Sequence, residues 1–563
     1  MKRKISDEEA QRLRALKLEW IEFRTESKRV YAYNSLAAHV LGGVDFEEKG
    51  NSGVEQSLDD ELTGHPGAMR VTTDVYRRGY KARLESDATP GKTVRLTILS
   101  RLQFIAEQEL KKAVLTHHCK SGSLVAMDPK TGEILALANY PTYDPNMRPK
   151  PGDDLTPREN LAVTAPFEPG SVFKVITVSA AMETTRLRPA SIVSCGNGTI
   201  KLFGRVIHDH NSYASLPVED VLARSSNIGA INIGIQVGDA NMHRYVQAFG
   251  FGKRTGIPLP GEDSGVVRKL KHWQKSSIGS VAMGHEVSVT SVQLAQAASV
   301  IANGGYLVRP KLIAGAKTPQ PVQVLRPETA ITMRRMMEGV VIKPWGTGYR
   351  YCRIPGYTAA GKTGTAQIYD NKAHVYTHFY NASFMGFAPV TNPAVVVVVT
   401  VNGATGLAGY GGPSAGPVFR EVAGAALRLL NIPKDLPDDV PPVQLTGVKA
   451  SDNDLALSEL TSSVPHPLAE VADSGQRIFS GSEDEDDDSP PRSPVTVGPM
   501  PTVVGPKAPN FLGMTIRDVM QESSEKGIPV VFVGAGTGLV RSQIPGPGEA
   551  LPAGERVRVT VRQ

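Results

Sequence analysis

The eight-residue run AVVVVVTV at 394–401 limits the possible fold more than any other stretch of the chain. A membrane-spanning helix needs about 18 or more consecutive apolar residues, and no segment approaches that length. An apolar run this short and this rich in β-branched side chains reads as a buried strand, because branched residues pack well on a pleated surface. Further strand signals lie at 358–367 and 380–388, and SLVAMDPKTGEILALAN (123–139) reads as two apolar strands around a DPKTG turn. LQFIAEQELKKAV (102–114) and VFREVAGAALRLL (418–430) carry apolar residues at helical spacing, and helical patterns alternate with loops from 171 to about 343. Strands near both ends with helices between them predict an α+β domain of roughly 340 residues, its sheet assembled from distant parts of the chain.

The flanking regions read differently. MKRKISDEEAQRLRALKLEW begins basic but lacks the apolar centre of a signal peptide, and residues 7–25 have a helical mix of charge and apolar side chains. From there to about residue 90 the chain is too short and too polar for a complete domain. Beyond Pro433 the composition turns to Pro, Ser and Asp, and GSEDEDDDSPPRSP (481–494) is a like-charged tract that cannot build a core. Residues 436–506 are therefore expected to be a disordered linker. The last segment, 507–563, reads as one helix (515–526) and three short strands separated by Gly/Pro turns. A net charge of +6 is small for 563 residues, and no cluster of Lys/Arg mixed with aromatics stands out, which argues against a nucleic-acid partner. Cys119, Cys195 and Cys352 are too few and too scattered for a disulfide framework or a CxxC metal pair.

FEPGSVFK (167–174) places Ser171 and Lys174 three apart, just after Pro-Gly. On a helix such a pair shares one face. A serine hydroxyl is a weak nucleophile until a base takes its proton, and a lysine can do so if burial or a neighbouring cation depresses its pKa. The pattern alone is weak, since it recurs at Ser523–Lys526, where a polar surround favours a solvated helix face. Two companion patterns have the same problem. Ser-x-Asn occurs at Ser225–Asn227 and at Ser451–Asn453, and Lys-(Ser/Thr)-Gly at 120–122, 130–132 and 362–364. Context selects among them: Ser451 falls in the linker, 130–132 in a hairpin turn, 120–122 at a strand entry. Only Lys362-Thr363-Gly364-Thr365 lies in a strand with small residues, where glycine would let a substrate backbone approach closely. His208-Asp209-His210 and His117-His118-Cys119 read as loop or surface residues rather than metal ligands, and Glu168 as polarity at a helix entry.

The ordered set Ser171, Ser225/Asn227 and Lys362 resembles the motif trio of class A β-lactamases and penicillin-binding proteins, with Ser226 in place of the middle aspartate, a substitution common in class B members. Residues 28–435 resemble a class B penicillin-binding protein, a monofunctional D,D-transpeptidase of peptidoglycan synthesis. The resemblance runs through KRVYAYNSLAAHVLGGV, MDPKTGEILALANYPTYDPN, FGFGKRTGIPLPGE, VTSVQLAQAASVIANGGYLVRP and YNASFMGFAP. Residues 507–563 resemble a PASTA module, which occurs most often in cell-division members. The resemblance implies a partial N-terminal pedestal of the dimerisation type (1–91), a transpeptidase domain with an antiparallel sheet flanked by helices (92–435), the linker, and the PASTA-like module. It implies Ser171 as the acylated nucleophile and Lys174 as its base. Ser225 would relay protons to the leaving group, and Asn227 would bind the substrate backbone. Lys362 would add positive potential, Thr363 and Thr365 would bind the substrate carboxylate with Gly364 between them in the same substrate site, and the Ser171 and Thr365 N–H groups would form an oxyanion hole. It implies stem peptides of lipid-linked or nascent peptidoglycan as substrate, β-lactams as inhibitors, no metal or cofactor, and a membrane glycosyltransferase and division proteins as partners. The expected place is the extracytoplasmic face of the membrane, although the family's anchor and early Arg-Gly-x-Ile-x-Asp stretch are not found in this sequence. A serine β-lactamase and a non-catalytic wall-binding scaffold are the competing readings. The first would need Glu-x-x-Leu-Asn after Ser225–Asn227, and none lies between 228 and 361.

Overall fold

The computed structural model describes residues 2–437 and 507–562, apart from 19, 24–25, 74–78, 203, 371–372, 374, 527, 529, 535–538 and 550–556. Nearly all of the expected linker, with Ser451–Asn453, lies outside the described residues. The chain divides into two units, and the functional motifs fall in the first.

Helix α1 (Ser100–Thr116) leads into a hairpin of β1 (Ser121–Met127) and β2 (Ile134–Tyr140). Its turn is closed by Asp128, whose Oδ1 accepts from Lys130 N and Thr131 N, with Gly132 at φ +77°. A helical layer follows: α2 (Lys174–Thr184), α3 (Val218–Arg224), α4 (Asn227–Val237), α5 (Ser277–Met283), α6 (Ser291–Ala302) and α7 (Pro327–Ile342). Then β3 (Ala360–Asp370), β4 (Val375–Ala388) and β5 (Val395–Ala404) return to the sheet, and α8 (Gly411–Leu429) closes the domain. The five strands run in the order β3-β4-β5-β1-β2, every pair antiparallel, so the last strands in sequence close on the first hairpin.

The valine run is β5. Its alternate side chains feed two separate cores, as a period of two requires. Val396 and Val398 join the core beneath α2 and α6, with Ile176, Leu294 and Ala298. Val395, Val397, Val399 and Val401 join the core beneath α1 and α8, with Leu102, Leu110, Phe419 and Val422. Each is fully buried, and burying a valine contributes about 1.5–3 kcal/mol. Helix α6 runs between layers with every residue buried, its start fixed by a capping box in which Thr290 and Gln293 exchange side chain-to-backbone bonds.

Two expected boundaries move. The helix placed at 7–25 spans only Asp7–Ala15, opened by a Ser6/Glu9 capping box. Helix α8 begins at Gly411, seven residues before 418, despite Pro413 and Pro417. Pro413 falls in the first turn, where its missing N–H has no helical partner to lose, whereas Pro417 lies inside the helix and gives up one backbone bond; the glycines of this first stretch let the helix press onto the sheet. A β-carbon at Gly411 would lie 2.0 Å from Ser383 O. The N-terminal segment has short helices and two-stranded ribbons, docked on the main domain by bonds such as Tyr31 N to Asn146 Oδ1 (2.9 Å) and Tyr143 OH to Ala38 O (3.0 Å).

The second unit contains α9 (Ile516–Lys526) and a sheet of β6 (Val530–Gly534), β7 (Leu539–Ile544) and β8 (Val557–Arg562) in the order β6-β8-β7. Phe511, Val519, Val540, Val557 and Val559 form its core. Among the described residues no helix is long and apolar enough to cross a membrane, and no group of His, Cys, Asp and Glu could hold a metal.

Candidate active site

Pro169-Gly170 starts a short 3-10 turn, Gly170–Phe173, that continues directly into α2 at Lys174. Gly170 adopts φ +54°, and its N–H donates to Gly284 O at 3.1 Å. This turn leaves Ser171 half-buried and Lys174 fully buried one turn further on. Ser225 is the first of two residues between α3 and α4 and takes the left-handed conformation (φ 62°, ψ 35°), which turns the chain sharply and sends Asn227 into the first turn of α4. Lys362–Thr365 lie on β3, the edge strand, paired with Met385–Ala382 on one side only.

These three pieces meet at Lys174. Its Nζ donates to Ser225 O at 2.6 Å, Asn227 Oδ1 at 2.7 Å and Ser225 Oγ at 3.3 Å. Lys362 Nζ donates to the same Ser225 Oγ at 2.8 Å and to Thr363 O at 3.1 Å. Thr363 Oγ1 is 2.7 Å from Thr347 Oγ1, which ties the edge strand to the loop after α7. The nucleophile turn packs on β3, since a β-carbon at Gly170 would lie 2.9 Å from Thr365 O. Gly364 is needed for the same approach. A β-carbon there would meet Ser383 Oγ at 2.5 Å, Val172 Cγ1 at 2.9 Å and Pro169 O at 3.2 Å.

Burial sets the electrostatics. Loss of hydration pushes Lys174 down to about 7, opposed by the Asp209 carboxylate. Lys362 falls well below the ordinary lysine value, through burial first and then the Lys174 charge beside it. Lys362 was expected to supply positive potential; its burial and the neighbouring Lys174 charge both oppose the charged form. Two buried amines sharing one hydroxyl cannot both stay charged in a medium that screens poorly.

The remaining candidates separate cleanly. Lys130 sits in the hairpin turn with Nζ on Asn392 Oδ1 (2.7 Å), and Lys120 at the strand entry lies over the Phe379 ring. Ser523 donates to Ile528 O at 2.7 Å, while Lys526 pairs with Glu522 on an exposed helix face. Glu168 is not a solvated helix-entry group. It is buried, accepting from His285 Nδ1 and Glu286 N, both at 3.0 Å, and from Tyr376 OH at 3.3 Å. It clamps the 284–286 loop and β4 against the nucleophile turn. Replacing Glu168 by alanine leaves buried donors unpaired and should lower unfolding stability by about 2 kcal/mol, read from a denaturant midpoint. Asp209, set aside in the sequence as a loop residue, is also buried. Its spacing from the motifs carries no signal that singles it out.

Comparison with known proteins places these motifs inside a matched domain. The Penicillin binding protein transpeptidase domain matches residues 122–424, the Penicillin-binding Protein dimerisation domain 1–96, and the PASTA domain 506–563. The probable peptidoglycan D,D-transpeptidase PenA of Neisseria meningitidis is 34% identical over 438 residues, covering 77% of this chain and 74% of the relative. The peptidoglycan D,D-transpeptidase FtsI of Escherichia coli is 34% identical over 439 residues, covering 77% and 72%. Among solved structures, penicillin-binding protein 3 of Mycobacterium tuberculosis complexed with ampicillin superposes with a TM-score of 0.65 at 32% identity, covering 75% of this chain and 93% of that one.

Proposed function

The chain belongs to the class B penicillin-binding proteins, the peptidoglycan D,D-transpeptidases, and from that premise we propose that Ser171 is the serine its substrate acylates, with Lys174 as base. The observation that carries the assignment is the convergence of Lys174, one turn along from Ser171, and Lys362 on Ser225 Oγ. The enzyme is a serine-type D-Ala-D-Ala transpeptidase. Ser171 Oγ attacks the penultimate D-Ala carbonyl and gives its proton to Lys174 Nζ. The carbon–nitrogen bond to the terminal D-Ala breaks, and that nitrogen takes a proton relayed through Ser225. An amine of a second stem peptide then displaces Ser171 Oγ, which recovers its proton as the cross-link forms.

The edge position of β3 supports this reading. An edge strand presents unpaired backbone groups, so an extended stem peptide can lie along it; Asn227 gives one Nδ2 hydrogen to His208 O, which leaves its second to offer the substrate backbone. The terminal carboxylate would sit at Thr363 and Thr365, with Gly364 holding the strand close to the nucleophile turn. The N–H groups of Ser171 and Thr365 would bind the oxyanion; such donors contribute about 3 kcal/mol each. The lysine pair gives the substrate a way to start the reaction. A carboxylate arriving beside Lys362 favours the charged form there, and a charged Lys362 drives Lys174 to the neutral form a base requires.

A pH dependence follows. Lys174 must be neutral to accept a proton, and burial puts its pKa at about 7. Acylation by a β-lactam should therefore rise as pH increases through 7 and level off above it, measured as the second-order rate constant. The transpeptidase reading itself is tested with a fluorescent penicillin and a donor stem peptide. It predicts a long-lived label, absent from Ser171→Ala, and D-Ala release that yields cross-linked product when an acceptor amine is supplied. Fast loss of the label would favour a β-lactamase, and a folded protein that takes no label would favour a scaffold. The PASTA module supports a place in septal wall synthesis, with a membrane glycosyltransferase and division proteins as partners on the extracytoplasmic face.

A further inference from the structure

Asp209 ends the ribbon Thr199–Leu202/Arg205–His208 and faces the start of α4. Its backbone is anchored by the bond from Asp209 N to Gly198 O (3.0 Å). Asp209 is 8% exposed, and its carboxylate meets the Ser225–Asn227 corner with both oxygens. Oδ2 accepts from Ser226 Oγ at 2.5 Å, and Oδ1 accepts from Asn227 N and from Ile228 N, the latter at 3.0 Å. Ser226 Oγ in turn accepts from Gly229 N at 2.9 Å and touches Cys195 Sγ. The neighbouring residue completes the cradle, because Asn227 Nδ2 donates to His208 O at 3.1 Å. The amide of Asn227 is thereby fixed with Oδ1 turned to Lys174 Nζ.

We propose that Asp209 is a positioning residue for acylation: from behind the corner it holds Asn227 and Ser226 in place and supplies the negative charge that balances the buried Lys174. This rests on the reading of Lys174 as the base for Ser171. The arrangement explains the middle residue of the motif. Ser226 acts through its hydroxyl as an N-cap and as a donor to Asp209, not as a substrate ligand. A carboxylate at the N-terminus of α4 is also where the helix dipole favours one. The titratable groups around this corner are Lys174 on α2, Lys362 on β3, Cys195 against Ser226, and His208 and His210 on either side of Asp209. His208 Nδ1 lies 3.1 Å from Thr199 Oγ1, and the His210 ring stacks on Tyr410 at 5.6 Å. Arg224, next to Ser225, is held between the Tyr213 and Trp345 rings.

The test measures acylation of the full chain by a fluorescent penicillin across pH, for wild type, Asp209→Asn and Ser226→Ala. Asp209→Asn keeps the shape and removes the charge. With that charge gone Lys174 loses its proton more readily, so the rising limb should move to lower pH by about half a pH unit or more. The limiting rate should fall by about tenfold as Asn227 loosens. Ser226→Ala keeps the charge and should lower the limiting rate several-fold with the limb unmoved. A folded Asp209→Asn protein with limb and rate as in wild type overturns the proposal. So does a loss of rate that only follows a loss of thermal stability, with no movement of the limb. If Asp209→Asn does not fold, Ser226→Ala decides: a reduced rate with an unmoved limb supports positioning, and an unchanged rate overturns it. Failure of the underlying reading would look different, because Ser171→Ala would then still take the label.

Discussion

Replacing Lys174 by methionine should slow acylation of Ser171 by about 10³-fold or more while leaving the fold intact. The side chain is fully buried and donates to Ser225 O, Ser225 Oγ and Asn227 Oδ1, so methionine fills the same space without the proton acceptor. General-base assistance contributes about 10²–10⁴-fold, and the remainder comes from acceptors left without a donor. Losing the amine also leaves Ser225 O and Asn227 Oδ1 without their donor and Asp209 without its balancing charge, so unfolding stability should fall by about 1–3 kcal/mol, which a domain of this size survives. The check is the acylation rate constant together with an unfolding midpoint. A variant that acylates within tenfold of wild type would exclude Lys174 as the base. The pH limb should also disappear, since the group that titrates near 7 is gone.

The second large effect is expected at Gly364→Ala. One methyl group would meet Ser383 Oγ at 2.5 Å and Val172 Cγ1 at 2.9 Å, so β3 and the nucleophile turn must separate. Overpacking of this kind costs about 1–3 kcal/mol, which a domain of this size survives. Catalysis is more sensitive, because a displacement of about 1 Å between reacting groups costs about 100-fold. Acylation should therefore fall about 100-fold in a protein that still unfolds cooperatively. A fall in rate no larger than the loss of folded protein would show that the spacing between Gly364 and Val172 does not set the reaction geometry.

Much of the fold was legible because its elements are strongly periodic. The valine run, the DPKTG hairpin and the helix from 102 each carry a local signal, and each occurs where expected. The start of α8 was not legible, because Pro413 and Pro417 are local breakers. Contact of its glycines with Ser383 O and the chain around Tyr351 overrides them. Ser225–Asn227 and Lys362 meet at Lys174, while Ser451–Asn453 lies outside the described residues; the three motifs could be picked out of the sequence from context. What held them could not. Asp209 and Glu168 act through contacts with residues 17 to 208 positions away, and no spacing rule marks such partners. The lowered pKa of Lys362 was not legible for a similar reason: burial and a second lysine are properties of the folded site.

The central claim concerns one atom, Ser171 Oγ, and peptide mapping of the β-lactam adduct addresses it directly. After reaction with a penicillin and proteolysis, mass spectrometry should find the adduct on the peptide containing Ser171 and nowhere else. The Ser171→Ala protein should carry no adduct. An adduct on a peptide containing Ser225, Ser226 or Ser523, or one that persists in Ser171→Ala, would contradict the account.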